Sequence, residues 1–365
     1  MQNNERNSIY TCNMYPIITP EQLKNQFPIT HIEQQTIVDS QNIIVNIIHR
    51  RDPRFLVICG PCSIHDVNAT FEYANKLKTL SIDLQDQLYI VMRVYLEKPR
   101  TNIGWKGLIN DPYMNGSNDI ELGLKTARNL LVQLIKIGLP LATEVLNPNI
   151  PQYIGELFSW SSIGARTTES QIHREIASGL NTPIGFKNST NGNFSNAINA
   201  IRAAMMPHCY ISINQLGQVC LLHTKGNPNA HIILRGGKHP NYHPADVICC
   251  EKKIRESEGL LPLALMIDCS HGNSNKDYRR QTNVAQSISD QIKYGNRSII
   301  GLMIESYIHS GNQSINLSSS SSTVQYGVSV TDACIDWETT QHLLYNLYKE
   351  LKPFLIKRIS GAEMA

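Results

Sequence analysis

Two groups of side chains in this sequence have the types and spacing to do chemistry. The first is cationic: Arg93, Lys98, Arg100, Arg166, Lys187 and Arg235 each stand at, or just past, the end of a short apolar run. The stretch LYIVMRVYLEKPRTNIGW, residues 88–105, shows the pattern most fully. Its Val, Ile and Tyr residues read as a strand buried on both sides. Arg93, Glu97, Lys98, Arg100 and Thr101 then arrive around Pro99, which keeps a helix or ladder from absorbing them. A buried strand has no packing use for a guanidinium at its tip, so the simplest purpose is to hold an anion. By itself the stretch has a plainer reading, a surface ion pair of Glu97 with Arg93 or Arg100. Gathered in one place, however, six cations repel one another and need anions. Phosphates and carboxylates held by forked guanidinium contacts supply them.

The second group is Cys62, His271, Glu305 and Asp332, which also follow apolar runs. One sulfur, one imidazole and two carboxylates suit one borderline divalent ion, Mn, Fe(II), Co, Zn or Cu, and suit Mg or Ca poorly. Singly, each has a plainer reading as a buried thiol, a core imidazole or a partner for the cations. Glu144 ends a further run.

These positions need a frame that brings strand ends together. From Phe55 onward a unit repeats, an apolar run, a loop with reactive residues, then a helix or loop: FLVIC, LYIVMR, PLATEV, SSIGA, TPIGFK, HIILRGG, LALMIDC and SIIGLMIES. Ala127, Leu130, Leu131, Leu134 and Ile135 recur at the spacing of a buried helical stripe, and Val67, Phe71, Ala74 and Leu77 form a weaker one. In TTESQIHREIASGL, Thr168 and Gln171 have capping-box spacing and Gly179 marks the exit. YISINQLGQVCLLH alternates around Gly217 as a hairpin, and residues 338–357 read as a last helix. Eight such runs predict an α/β fold, a (β/α)8 TIM barrel over residues 53–365, with a hairpin inserted near 209–223. In that fold all the residues above meet at one mouth. Residues 1–52 read as an N-terminal extension packed on the barrel or on a neighbouring subunit. Its helices fall at 19–27 and 33–50, the second with Ile37, Val38, Ile43, Ile44, Ile47 and Ile48 as an apolar face.

The chain has 365 residues, 41% hydrophobic and 17% charged, values typical of soluble globular proteins. No stretch approaches the roughly 18 apolar residues of a membrane span. The first residues show no apolar signal core, which predicts a cytoplasmic protein. Nine cysteines without framework spacing predict reduced thiols. A net charge of +3 is too small for a nucleic-acid surface. Cys59-Gly-Pro-Cys62 has the spacing of a thiol–disulfide oxidoreductase, but Cys59 closes a hydrophobic strand and such a site leaves the cations unexplained. Arg235-Gly-Gly lacks the repetition of an RNA-binding box, and no phosphate-loop fingerprint is present.

Several longer motifs narrow the reading. CGPCSIHD, MRVYLEKPRT with GWKGLINDP, SWSSIGARTTESQIHRE, GFKNST, HIILRGG, IDCSHGNSNKDYRRQ, GLMIESYIHSGNQ and YGVSVTDACIDWE closely resemble the class I 3-deoxy-D-arabino-heptulosonate-7-phosphate (DAHP) synthases. INQLGQV and GNRSIIGLMIES are most like the tyrosine-regulated isoenzyme. The resemblance implies a metal-dependent condensation of phosphoenolpyruvate with erythrose 4-phosphate, the first step of the shikimate pathway. It implies Cys62, His271, Glu305 and Asp332 as metal ligands, and Arg166, Arg235 and the Ala165 amide at the phosphate of phosphoenolpyruvate. Arg93 and Lys187 then face its carboxylate, and Arg100 and Thr101 the phosphate of the aldose. Lys98, crowded by cations and so expected to have a lowered pKa, is the candidate to protonate the new alkoxide, with Glu144 orienting water and His271 at the reacting centre. A nearest rival is the sister synthase that uses arabinose 5-phosphate. The resemblance further implies a homodimer or homotetramer and an aromatic amino acid effector, tyrosine favoured. Its site would involve Pro151, Gln152, Leu180, Asn181, Tyr210, Ser212 and Leu222. The chain departs from relatives at Ser189 and Asn191, in GFKNSTNG, at Asn181 where relatives carry Ser, and in a serine tract, residues 318–322.

Overall fold

Runs such as FLVICG and IIGLMIE have no polar face to give to water, so both sides must be covered. Parallel strands wrapped by helices satisfy that demand. The computed structural model describes residues 15–100, 104–257, 261–315 and 324–359. Its strands are β1 (Phe55–Gly60), β2 (Leu88–Arg93), β3 (Leu141–Glu144), β4 (Trp160–Ile163), β5 (Ile184–Lys187), β6 (Cys209–Ile213), β7 (Val219–His223), β8 (Ala230–Leu234), β9 (Leu265–Asp268) and β10 (Ile299–Glu305). All but β6 and β7 close into one barrel in the order β1-β10-β9-β8-β5-β4-β3-β2, every pair parallel, while β6 and β7 form a separate antiparallel hairpin. Register aligns the strand ends: Gly60 lies beside Glu305, and Asp268 beside Met303.

The helices are α1 (Pro20–Gln26), α2 (His31–Ile48), α3 (Val67–Leu84), α4 (Ile120–Lys136), α5 (Ile150–Ile154), α6 (Gln171–Gly179), α7 (Ser195–Ala204), α8 (Pro244–Glu256), α9 (Gln281–Lys293) and α10 (Trp337–Leu355). On α4 the whole expected stripe from Ala127 to Ile135 is buried. On α3 Ala74 and Leu77 are buried as expected, while Val67 and Phe71 are only partly covered and Thr70 and Tyr73 take the inner positions, Tyr73 reaching inward to Cys59 and Ser306. The capping box expected at Thr168 does not form. Ser170 is the N-cap of α6, and the Thr168 hydroxyl serves the carbonyls of Gly164 and Lys187 at 3.0 and 2.7 Å.

α2 closes the end of the barrel opposite the site. Its Ile44, Ile47 and Ile48 join Leu56, Ile58, Val91, Trp160, Met266 and Met303 in one apolar cluster, whereas Val38, expected on the same face, is 40% exposed. Tyr89 Oη donates to Ser40 Oγ at 2.7 Å and pins the helix there.

Candidate active site

At the C-terminal ends of the strands, Arg93, Lys98, Arg100, Arg166, Lys187 and Arg235 line one cavity of about 240 Å³, together with Glu144, Ala165, His271 and Asp332. All six cations are brought together. They differ in how they are held. Arg93 is 1% exposed: its Nη2 donates to Glu305 Oε1 at 3.0 Å, its Nε to the Pro61 carbonyl at 3.1 Å, and its guanidinium lies 3.6 Å from the centre of the Tyr95 ring. Lys187 Nζ binds Asp268 Oδ2 at 2.8 Å with both side chains buried. Arg93 and Lys187 therefore carry built-in counter-ions, which a sequence has no means to display. Arg235 is half-buried, and Arg100 and Arg166 are exposed at the mouth. Thr101 and the serine tract at 318–322 lie outside the described residues.

Ligand atoms of Cys62, Glu305 and Asp332 all lie within 4.8 Å of one another. His271 flanks them, with Nε2 at 3.8 Å from both Glu305 Oε1 and Asp332 Oδ2. Its other nitrogen, Nδ1, faces Asp268 Oδ2 at 3.0 Å and Ser270 Oγ at 2.7 Å, the kind of outer contact that orients a metal-binding imidazole. His271 has φ +58°, a left-handed conformation that a side chain adopts at some energetic cost, held here because the loop around it is bonded on both sides. A thiol, two carboxylates and an imidazole with its rear nitrogen already committed fit a borderline divalent ion.

Electrostatics follow from this packing. Burial would raise the Asp268 carboxyl, but Lys187 and His271 hold it well below its ordinary value. Burial and Glu305 push the Cys62 thiol up to about 11, so an incoming metal must displace its proton. The expectation of a lowered Lys98 pKa is overturned. Burial and Arg93 do favour loss of its proton, but the Cys62 sulfur at 3.1 Å, with Glu305 and Asp332, outweighs them and keeps the pKa raised. Glu144 points Oε1 inward with no hydrogen-bond partner among the described groups, across Gly164, where a Cβ would collide with it.

The dithiol alternative has no geometry to stand on. Cys59 is fully buried with its sulfur 3.2 Å from Tyr73 Oη, Cys62 turns to Lys98, and both are free thiols.

A second cavity of about 300 Å³ gathers Pro151, Gln152, Leu180, Asn181, Tyr210 and Leu222 between α2, α5, the end of α6 and the hairpin. Ser212, the seventh residue expected there, is buried on the hairpin but does not line it.

Residues 26–345 match the DAHP synthetase I family. The chain belongs to that family. It is 60% identical over 360 residues, 99% of this chain and 100% of the relative, to the Tyr-sensitive phospho-2-dehydro-3-deoxyheptonate aldolase of Salmonella typhimurium. With the Phe-sensitive enzyme of Escherichia coli, identity is 48% over 336 residues, 92% of this chain and 95% of the relative. A solved phospho-2-dehydro-3-deoxyheptonate aldolase from Francisella tularensis superposes with a TM-score of 0.89 at 46% identity, covering 93% of this chain and 98% of that one.

Three further residues shape the site of this DAHP synthetase I chain. Asp268 joins Lys187 to His271, and its position at the end of an apolar run was the signal that could have marked it. Thr168 anchors the Lys187 carbonyl. Gln281, fully buried at the start of α9, clamps both backbone groups of Glu305, donating to its carbonyl and accepting from its N–H at 2.9 Å each. Neither has a sequence signal, since only tertiary partners give them a role.

Proposed function

We propose that this chain condenses phosphoenolpyruvate with D-erythrose 4-phosphate and water, yielding 3-deoxy-D-arabino-heptulosonate 7-phosphate and phosphate, the first step of the shikimate pathway to aromatic amino acids. The observation that carries this reading is one cavity lined by six cations, His271 and Asp332, with Cys62 and Glu305 buried beside Asp332, suited to two phosphorylated reactants beside one metal. A divalent ion held by Cys62, His271, Glu305 and Asp332, with Mn, Fe, Co, Zn and Cu as the candidates, would supply Lewis-acid polarisation of the aldehyde oxygen.

Arg166, Arg235 and the Ala165 N–H hold the phosphate of phosphoenolpyruvate, and Arg93 and Lys187 face its carboxylate. Arg100 and Thr101 hold the phosphate of the aldose. C3 of phosphoenolpyruvate attacks the aldehyde carbon, water adds at the C2 cation that develops, and C–O cleavage then releases phosphate. Glu144, whose Oε1 is otherwise unpartnered, accepts a hydrogen bond from that water and orients it. Lys98 enters as an ammonium and gives its proton to the alkoxide oxygen. A Lys98→Ala enzyme with near-normal turnover would remove that role.

The test is stoichiometric. Protein loaded with Mn consumes phosphoenolpyruvate only when erythrose 4-phosphate is present, releases one phosphate per molecule consumed, and stops on chelation. Equal or faster consumption with arabinose 5-phosphate, or turnover that survives chelation, overturns the reading.

The proposed occupant of the second cavity is an aromatic amino acid, tyrosine before phenylalanine or tryptophan. Leu180, Leu222 and Tyr210 offer an apolar seat, and Gln152 and Asn181 offer polar amides to the amino-acid head. A homodimer or homotetramer is proposed on the hairpin, where Ile211 and Val219 are each 77% exposed and Leu221 62%. Residues 1–52 are proposed as a separate extension and the cytoplasm as the compartment. Among the described residues no helix is long and apolar enough to cross a membrane.

A further inference from the structure

Lys187 ends β5, while Arg235 and His271 sit on the loops after β8 and β9, and the covalent chain does not fix one against another. Three buried asparagines do. Asn188, fully buried next to Lys187, uses all four hydrogen-bonding positions of its amide. Its Oδ1 accepts from the backbone N–H of Arg235 at 2.7 Å and from Asn241 Nδ2 at 3.1 Å, and its Nδ2 donates to the carbonyls of Ser189 and Gly236, each at 2.9 Å. Asn241 Oδ1 accepts from Gly236 N–H at 2.7 Å, and the Asn241 N–H donates to Asn273 Oδ1 at 2.8 Å. Asn273 Nδ2 then donates to the carbonyls of Leu234 at 3.1 Å and Asp268 at 2.8 Å.

The bonds thus run from the β5 loop through the β8 loop to the β9 loop. They end on the backbone of Asp268, whose carboxylate grips Lys187 and His271. The loop backbones themselves touch: a Cβ on Gly237 would collide with Gly192, so no side chain separates them. Buried amides satisfied this fully hold their partners to one geometry, and an isosteric carboxylate cannot replace them because it has no N–H to give.

We propose that Asn188, Asn241 and Asn273 are positioning residues that lock the phosphoenolpyruvate cations Lys187 and Arg235 to the metal-side His271, so that the two binding sites are set as one unit. This rests on the reading of the cavity as a phosphoenolpyruvate and metal site. Arg100 follows β2 and receives none of these bonds, so the aldose phosphate site stands apart from the clasp.

The experiment is Asn241→Asp, which keeps the shape and the acceptor for Gly236 but loses the donor to Asn188. The metal-stripped protein is titrated with Mn²⁺, with free ion read by electron paramagnetic resonance. Phosphoenolpyruvate binding is followed by calorimetry, and the KM of each substrate is determined. Expected are losses of about tenfold or more in both Mn²⁺ and phosphoenolpyruvate affinity, in the range seen when outer partners of metal ligands are removed, with the KM of erythrose 4-phosphate within twofold of the unmodified enzyme. Asn241→Ala, which removes both side-chain bonds without adding charge, reads the same quantities if the aspartate variant does not fold. Three results overturn the clasp: unchanged affinities, an equal loss for both substrates, or failure of both variants to fold. An unmodified protein that binds neither phosphoenolpyruvate nor Mn²⁺ overturns instead the reading on which the clasp rests.

Discussion

The catalytic cavity and the one that gathers Tyr210 and Leu222 are of similar size and opposite construction. The catalytic rim, about 240 Å³, takes its charges from strand ends, and its deepest ones arrive already paired: Arg93 with Glu305 at 3.0 Å, Lys187 with Asp268 at 2.8 Å. The second cavity, about 300 Å³, is assembled from helix surfaces and a hairpin, and the ion pair between two of its lining residues, Lys24 with Glu156 at 3.5 Å, is part-exposed, Glu156 being held also by Arg128 at 2.7 Å. Buried, mutually bonded charges resist displacement, while helices and hairpins meeting across a groove shift against one another at small energy. The rim is thus held to one geometry more tightly than the groove. Between them, Glu97 and Glu144 share a cavity of about 20 Å³ with Pro151, Gly155 and Leu180.

The contrast can be broken at five residues. At the rim, Cys62→Ala is expected to abolish turnover, a loss beyond the about 100-fold that removal of an outer partner brings. Phosphate release with excess Mn measures it, and activity within tenfold of normal would remove Cys62 from the site. Arg93→Met leaves Glu305 buried without its partner and is expected to lower stability by about 3–5 kcal/mol in urea denaturation. The matching change in the groove, Lys24→Met, is expected to cost less than about 1 kcal/mol, because that pair is part-exposed. Equal effects would mean the two regions are not built differently.

The wall between the cavities gives a pH signature. Burial pushes the Glu97 carboxyl up to about 7, aided by Glu144 and only partly offset by the N–H of Asn147. The folded protein therefore holds that proton to a higher pH than the unfolded chain does. The contribution of Glu97 to stability is greatest below about pH 4.5, falls as pH rises to about 7, and is level above. Glu97→Gln lacks that slope and is expected to be more stable than the unmodified protein at pH 8 by about 3 kcal/mol. Melting curves at pH 5 and pH 8 check this, and parallel pH dependences would refute it. The smallest change is expected in the groove itself, where Tyr210→Ala should raise the tyrosine concentration for half-inhibition by about tenfold, a loss of little more than 1 kcal/mol.

Much of the rim was legible because fully apolar runs announce buried parallel strands, and a charge at the end of such a run is conspicuous. Arg93, Lys187, Arg235 and Glu305 all announce themselves that way. Partnership was not legible. Nothing in the spacing of Lys187 and Asp268 says that they meet, and so the cation cluster read as more exposed in charge than it is. The direction of the Lys98 shift failed for the same reason, since the sequence displays the cations that share its rim but not the sulfur and two carboxylates that meet it in space. Thr168 had the spacing of a cap and found a better use at the Lys187 carbonyl, a tertiary bond that overrode a local one. Ser189, beside Lys187, likewise finds a partner the sequence does not announce, donating to Glu169 Oε1 at 2.7 Å.

The isoleucines of α2 carry one more implication. Because Ile44, Ile47 and Ile48 cover the underside of the cylinder, its apolar interior is sealed at that end, while the reactive groups stand at the other. Trimming the chain from its start as far as this stopper would lay bare a greasy floor of Leu56, Ile58 and Val91 and invite clumping, while every reactive group stayed intact on the far side.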